Sequence, residues 1–467
     1  VTVTPPEVDH DDPWEEEFHS DLPLTELGMA RRLVLSFNGQ VRYAPQLRSW
    51  FFYDGQRWTE DITGEVQRRA KAVVDRLHAE ARFSVDRREE LTRAWLKFQS
   101  ASRIRSIVEL ATTEPEVPVL LSDFDADDWS LNVANGVVNL RDGSLRPHVP
   151  TEMHSKLVPI HYDPESPAPT WEKFLGEVLG DDPDLIDFVH RFAGYSLTGD
   201  VREQLLLFGH GSGANGKSTM FGMLRQLAGD YGVQLDPELL TAGLHEHHPT
   251  GLTDLRGARL VTTTETEAGK RLAEALVKSL TGGDPIRARR MRMDYFEFMP
   301  THHIWLAGNH LPPIRGTDLG IWRRIALVPF DVTFEGEKQD AELPTKLAAE
   351  ARGILAWAIR GCLDWQREGL RVPERVKAAT AKYRAAQDHV GRFLAECCVT
   401  GDVVYVTAKS LREAYEGWCH GQGEKPWSAK ALGAELSDRG FDSVQKGSDR
   451  TRTWIGLGLV AEEGERI

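Results

Sequence analysis

Apolar residues at Leu24, Leu27, Ala30, Leu33 and Val34 recur at the spacing of one helical face and predict a short amphipathic helix. The period then changes: Val41–Ala44, Ser49–Tyr53 and Gln56–Thr59 read as short strands, with Asp54-Gly55 as a tight turn. Helical spacing returns over Gly64–Arg82, where Val66, Ala70, Val73, Val74 and Leu77 mark one face, and again over Arg87–Glu109. Leu131–Gly143 predicts two strands joined at Asn135-Gly136. The proline-rich stretch Pro147–Pro169 predicts an extended connector, followed by helices over Trp171–Leu179 and Asp184–Tyr195.

From Gln204 onward strands and helices alternate. Gln204–Phe208, Arg259–Glu265, His303–Asn309 and Arg324–Phe330 are apolar or β-branched runs, interleaved with helical patterns that include Met220–Leu227 and Leu272–Leu280. Such alternation predicts an α/β fold with a mainly parallel sheet, helices on its faces, and ligands at the C-terminal ends of the strands. Leu343–Gln366 and Val376–Ala386 continue as helices. Then Val390–Cys398, Ser410–His420 and Ser428–Arg439 read as three helices and Phe441–Lys446 with Arg452–Leu457 as a strand pair, the pattern of a C-terminal winged helix. The expected units are a tail over 1–20, a mostly helical α+β domain over 21–196, a nucleotide-binding core over 197–385 and the winged helix over 386–467.

Composition narrows the class. With 467 residues the chain exceeds the size at which one core stops growing, so two to four domains are expected. No apolar run is long enough to span a bilayer, and the acidic N-terminus lacks the pattern of a secretory signal, so no membrane partner and a cytoplasmic, reducing compartment are expected. The four cysteines show no pairing with histidines that would hold zinc. A net charge of −15 excludes indiscriminate coating of nucleic acid, so any such contact must be local. Glu7–Glu17, acidic without a single Lys or Arg, reads as a solvated tail. Trp50, Phe52, Tyr53 and Trp58 are able to stack on bases, but in a small β-unit they are expected in the core. Asp123–Asp128 has the composition of a metal site, yet its position on a turn favours a solvated loop.

The chemistry centres on Gly211-Ser-Gly-Ala-Asn-Gly-Lys-Ser218, which fits G-x-x-x-x-G-K-[ST] between a strand and a helix. Gly211, Gly213, Ala214, Asn215, Gly216 and Thr219 are expected to line a phosphate cradle. Lys217 would pair with the β- and γ-phosphates of ATP, and Ser218 would ligate Mg²⁺. Glu265 and Glu267 end the next strand, where one can hold the metal shell and the other polarise water; exposed surface glutamates are the alternative. Asn309 is suited to the γ-phosphate or the attacking water, although Asn-His-Leu-Pro-Pro is also a good turn. Arg323 or Arg324 is a candidate arginine finger, acting in trans in an oligomer, with a structural salt bridge as the rival reading. Arg287, Arg289, Arg290 and Arg292 form a basic segment suited to gripping phosphates of a passing strand; a solvated charged loop is its alternative.

Four pieces in order, Gly213–Thr219, Thr264-Glu-Thr-Glu267, Lys278-Ser-Leu-Thr-Gly-Gly-Asp284 with the arginines after it, and Leu306-Ala-Gly-Asn-His-Leu-Pro312, resemble the superfamily 3 helicases of phage, plasmid and large DNA virus primase-helicases, within the AAA+ ATPases. Gly320–Ile325 is similar to that family's finger segment, and Asn132–Asp142 to the domain that precedes its helicase core. The resemblance implies a homohexameric ring that hydrolyses ATP between subunits and moves along single-stranded or forked DNA. It also implies that residues 21–196 form an oligomerisation collar, that Lys278–Arg292 includes the DNA-facing loop, and that a separate primase or replication-origin factor is a partner. Two departures are visible: Thr266 separates carboxylates that are often adjacent in the family, and residues 1–95 lack the carboxylate cluster of a primase. The expectation is an ATP-dependent DNA helicase for replication of a phage, plasmid or integrated element, without a primase in this chain. The alternatives are a DNA-binding ATPase that loads, remodels or defends without processive unwinding, and a non-enzymatic scaffold.

Overall fold

Thr25 opens the first helix, its hydroxyl accepting from Gly28 N at 3.2 Å, and α1 (Glu26–Leu35) buries Met29, Ala30 and Leu33. The computed structural model describes residues 22–242, 249–264, 270–291, 294–314, 319–336, 339–446 and 450–460. After α1, strands β1 (Val41–Ala44), β2 (Ser49–Tyr53) and β3 (Trp58–Glu60) form an antiparallel sheet in sequence order. Alternation along β2 turns Phe51 inward; with Trp58 it is fully buried, whereas Trp50 and Tyr53 only lean on the core and Phe52 stays half-buried. Helices α2 (Glu65–Phe83), α3 (Arg88–Phe98) and α4 (Ala101–Ala111) complete this region. The single helix expected over Arg87–Glu109 is two, because Ser100 adopts an extended backbone, with ψ of 143°, before α4.

Next come β4 (Ser130–Val133), β5 (Gly136–Asn139) and β6 (Ser144–Arg146), an antiparallel sheet with one strand more than expected. The connector after it is extended but fastened. The buried Asn132 amide donates to Lys156 O at 2.9 Å and to Gln56 O at 3.0 Å, and Asn135 exchanges hydrogen bonds with the Tyr162 backbone. The Asp123–Asp128 turn is likewise engaged rather than merely solvated: Asp125 accepts from Ser155 N at 2.8 Å, and burial raises the Asp128 carboxyl above the usual range.

Helices α5 (Pro169–Leu179) and α6 (Pro183–Tyr195) lead into β7 (Leu206–His210), α7 (Lys217–Leu227), β8 (Gly232–Gln234), β9 (Leu260–Thr264), α8 (Glu274–Leu280) and a hairpin of β10 (Ile286–Ala288) with β11 (Phe296–Phe298). Then follow β12 (His303–Gly308), α9 (Leu319–Trp322), β13 (Ile325–Pro329), α10 (Leu343–Ala349), α11 (Ala351–Glu368) and α12 (Glu374–Gln387). Five strands make one parallel sheet in the order β13-β7-β12-β9-β8. Each of its faces is covered. Leu207, Trp305 and Val328 belong to a cluster with Trp171, Phe192 and Phe221, while Phe208, Leu306 and Leu327 join Val277, Ile321 and Tyr383. The first of these clusters begins at Leu131, so the sheet's packing reaches back well before β7. The long helix expected over Leu343–Gln366 breaks at Glu350, whose carboxylate accepts from Thr170 N and Trp171 N at 3.1 Å and so satisfies the first turn of α5.

The last elements are α13 (His389–Cys397), β14 (Cys398–Thr407), α14 (Ala408–Gly421), α15 (Ala429–Asp438), β15 (Asp442–Lys446) and β16 (Thr451–Leu459), with sheet order β14-β16-β15. Phe393, Tyr415, Leu436 and Trp454 share their core. Strand β14 is an addition to the expected strand pair.

Candidate active site

Strands β7, β12 and β13 end level, His210 opposite Gly308 on one side and Pro329 on the other, so the loop after β7 emerges at the C-terminal edge of the sheet. That loop is fixed from both neighbours: Gly211 N donates to Gly308 O at 3.3 Å, Asn215 Nδ2 to Phe330 O at 3.2 Å, and Phe334 N to Ala214 O at 2.8 Å. Its path needs left-handed backbone at Gly213, Ala214 and Gly216, with φ of 101°, 48° and 82°. At Gly216 a Cβ would lie 2.4 Å from Val178 Cγ1, so α5 packs directly beneath the loop.

Lys217 begins α7 and is buried, at 4% exposure. Its ammonium donates to Gly211 O at 2.8 Å, Asn215 Oδ1 at 2.9 Å and Asn309 Oδ1 at 3.2 Å. The last contact joins residues 92 apart in the chain. A buried cation, turned peptide units and the N-terminus of an 11-residue helix together make a site with positive potential, suited to an anion. Ser218, on the first turn of α7, is exposed, and Thr219 beside it is half-buried. This donor set fits nucleotide phosphates with a hard cation bound through oxygen.

Strand β9 ends at Thr264, paired with Ala307 one residue before Gly308, which aligns it with the same edge. Glu265, Glu267 and Arg292 lie outside the described residues.

Arg323 and Arg324 sit at the opposite end of the sheet, just before β13, whose first residue Ile325 pairs with Leu206 at the start of β7. The five residues of β7 separate that end from the phosphate-loop end by about 16 Å. Arg323 is exposed and makes no ion pair among the described residues; Arg324 is buried and donates to Gly320 O at 2.6 Å. Both guanidiniums also reach Gln204 Oε1, a partner that no local motif marks.

The basic segment forms the β10–β11 hairpin. The guanidinium carbons of exposed Arg287 and half-buried Arg289 lie 4.4 and 4.8 Å from the Tyr295 ring centroid. Arg290 instead pairs with Glu60 of β3. Lys278 is half-buried on α8. Arg259 is a further buried cation that sequence reasoning passed over: it donates to Leu197 O at 2.8 Å and to Asp127 O at 3.2 Å, fastening the start of β9 to the segments before the sheet.

Among the described residues no group of three or more His, Cys, Asp or Glu side chains forms a metal cluster, and no helix is long and apolar enough to cross a membrane.

Residues 30–180 match the family described as D5 N terminal like, and residues 209–324 match a family of unknown function, DUF5906. A protein of Acanthamoeba polyphaga mimivirus named "Putative helicase" is 27% identical over 382 residues, 75% of this chain and 39% of its own length. One of the same name from Frog virus 3 is 24% identical over 305 residues, 60% of this chain and 30% of its own. A "Putative primase" of African swine fever virus is 25% identical over 332 residues, 64% of this chain and 34% of its own. The chain therefore spans less than two fifths of the length of each of these relatives. Among solved structures, the apo C-terminal region of NrS-1 superposes with a TM-score of 0.52 at 12% identity, covering 93% of this chain and 100% of that one, a likeness of fold.

Proposed function

The chain is a member of the D5-like primase-helicase family, and from that premise we propose that it is an ATP-dependent DNA helicase of the superfamily 3, AAA+ type, working as a ring-shaped oligomer on single-stranded DNA in the replication of a phage, plasmid or integrated element. The observation that carries the reading is the meeting of Lys217 Nζ and Asn309 Oδ1 beside the glycine-rich loop at the C-terminal edge of a parallel sheet. A lysine cation there offsets phosphate charge, and an amide on the neighbouring strand can orient a water or a γ-phosphate oxygen.

In this reading Gly211, Gly213, Ala214, Asn215, Gly216 and Thr219 line the phosphate cradle. Ser218, with Glu265, holds Mg²⁺, which when bound offsets the negative charge of the phosphates. Glu267 is left to orient the attacking water. Arg323 is the stronger candidate for the finger because it is exposed, whereas Arg324 is buried and committed to Gly320 O. About 16 Å of strand lies between that arginine and its own loop, so it serves the loop of an adjoining copy. Arg287 and Arg289, with Lys278 and Arg292, make the DNA-facing segment, and Arg290 beside them is tied to Glu60. The region before the sheet acts as a collar, and α13–α15 with β14–β16 form the winged helix.

The test is a Lys217→Ala variant assayed for ATP hydrolysis and for separation of a forked duplex. Both activities should vanish, and persistent unwinding would overturn the reading. Wild-type protein that hydrolyses ATP on single-stranded DNA but never opens a fork would instead indicate a loader or remodeller.

A further inference from the structure

We propose that Gln204 is the positioning residue for the arginine finger, holding Arg323 toward the adjoining subunit and tying it to the strand that leads into its own phosphate loop. The inference rests on the reading of Arg323 as a finger acting in trans.

Gln204 ends the turn before β7; its N–H donates to Val201 O at 3.0 Å, and its φ is 52°. Its Oε1 accepts from Arg323 Nη2 at 3.0 Å and from Arg324 Nη2 at 3.3 Å. Two residues on, Leu206 N donates to Arg324 O at 2.6 Å, so backbone and side chain together lock the start of β7 to the arginine pair. The exposed Arg323 side chain would otherwise sample many rotamers, and ordering it in advance removes that entropy from the reaction step.

The choice of an amide has a chemical reason. A carboxylate at this position would hold the guanidinium as well, but would also cancel the charge that a finger must bring to phosphate. A neutral carbonyl oxygen orients the cation and leaves its charge available. Gln204 also takes a left-handed backbone that glutamine rarely adopts, which side-chain contacts must support. Because β7 lies between the turn at Gln204 and the loop that leads into Lys217, and is bonded on both sides, a shift of the finger on engaging a neighbour's phosphate would have a direct path to that loop.

The experiment compares Gln204→Met, Arg323→Ala and the double variant for kcat, KM and binding of a fluorescent ATP analogue. Gln204→Met keeps the length and loses the acceptor; kcat should fall about tenfold, with KM and analogue binding unchanged. The double variant should be no slower than Arg323→Ala alone. Gln204→Asn serves as a second variant, since asparagine tolerates left-handed backbone but is one methylene too short to reach, and it should behave like Gln204→Met. An unchanged kcat in both Gln204 variants, a further drop in the double variant, or weakened analogue binding would overturn the positioning role while leaving the finger intact. Full activity of Arg323→Ala would instead remove the finger reading itself.

Discussion

Arg290 and Glu60, 230 residues apart, meet in a two-pronged ion pair, Nη1 to Oε1 at 3.0 Å and Nη2 to Oε2 at 3.1 Å. The pair fastens the arginine-bearing hairpin to β3, the last strand of the N-terminal sheet. Burial raises the Glu60 carboxyl, but hydrogen bonds from Arg290 and Ser49 and nearby arginine charge outweigh it and hold the group below the usual carboxylate range.

Glu60→Ala should therefore release Arg290. If the hairpin faces DNA, the freed cation adds one phosphate contact, so the variant should bind a single-stranded oligonucleotide more tightly, with the log-log salt slope steeper by about 0.7. Loss of this partly exposed pair should cost about 1 kcal/mol of stability or less. Binding titrations at several salt concentrations and a denaturant midpoint check both. An unchanged slope would show that Arg290 acts as a strut.

Asn309→Ala should separate binding from turnover. The side chain contacts Lys217 but is not part of the turned loop, so analogue binding should stay within a few fold of wild type. Loss of a group that orients the reacting oxygens should lower kcat on the order of a hundredfold. Parallel binding and steady-state measurements test this; equal losses in both would make Asn309 a support for Lys217 rather than a group of the reaction.

How far the sequence discloses this arrangement depends on range. Strands β7, β9, β12 and β13 are legible because they are buried on both faces and read as continuous apolar or β-branched runs. Strand β8, three residues with no buried position, leaves no such trace, and β14 breaks its register between Thr400 and Tyr405. Lys217 is named by local spacing and Asn309 by its place at a strand end, so their meeting is foreseeable. Gln204 is different: its partners are 119 and 120 residues away, and nothing nearby in the chain distinguishes it from a surface glutamine. Glu60 is hidden for the same reason.

Two neighbouring histidines give the fold an acid-side weakness. Burial lowers the pKa of His302 to about 3, reinforced by His303, and lowers that of His303 to about 4. Both are neutral in the folded state, whereas in the unfolded chain each titrates near 6.5. Above that pH neither group opposes folding. Below it the unfolded state binds more protons, so stability is lost progressively as the pH falls from about 6.5 through the folded values. The thermal midpoint measured across this range should fall less steeply in His302→Leu than in wild type. Parallel curves would show that other groups set the acid limit.

The floor of the phosphate loop supplies the most local test. Gly216→Ala puts a Cβ 2.4 Å from Val178 Cγ1 and 3.2 Å from Phe174 Cε2, at a residue whose φ is 82°. Left-handed backbone costs alanine about 1 kcal/mol, and overpacking against α5 adds about 1–3 kcal/mol. The variant should lose about 2–4 kcal/mol by denaturant midpoint, together with analogue binding, because relief of the clash moves the loop that carries Lys217. Adding Val178→Ala makes room for the new methyl but leaves the backbone cost. The double variant should therefore be more stable than the sum of the two single losses predicts, by about 1 kcal/mol or more. Recovery of analogue binding in that double variant would identify the contact between α5 and Gly216 as what sets the height of the loop. Strict additivity would place the damage in the backbone of Gly216 alone.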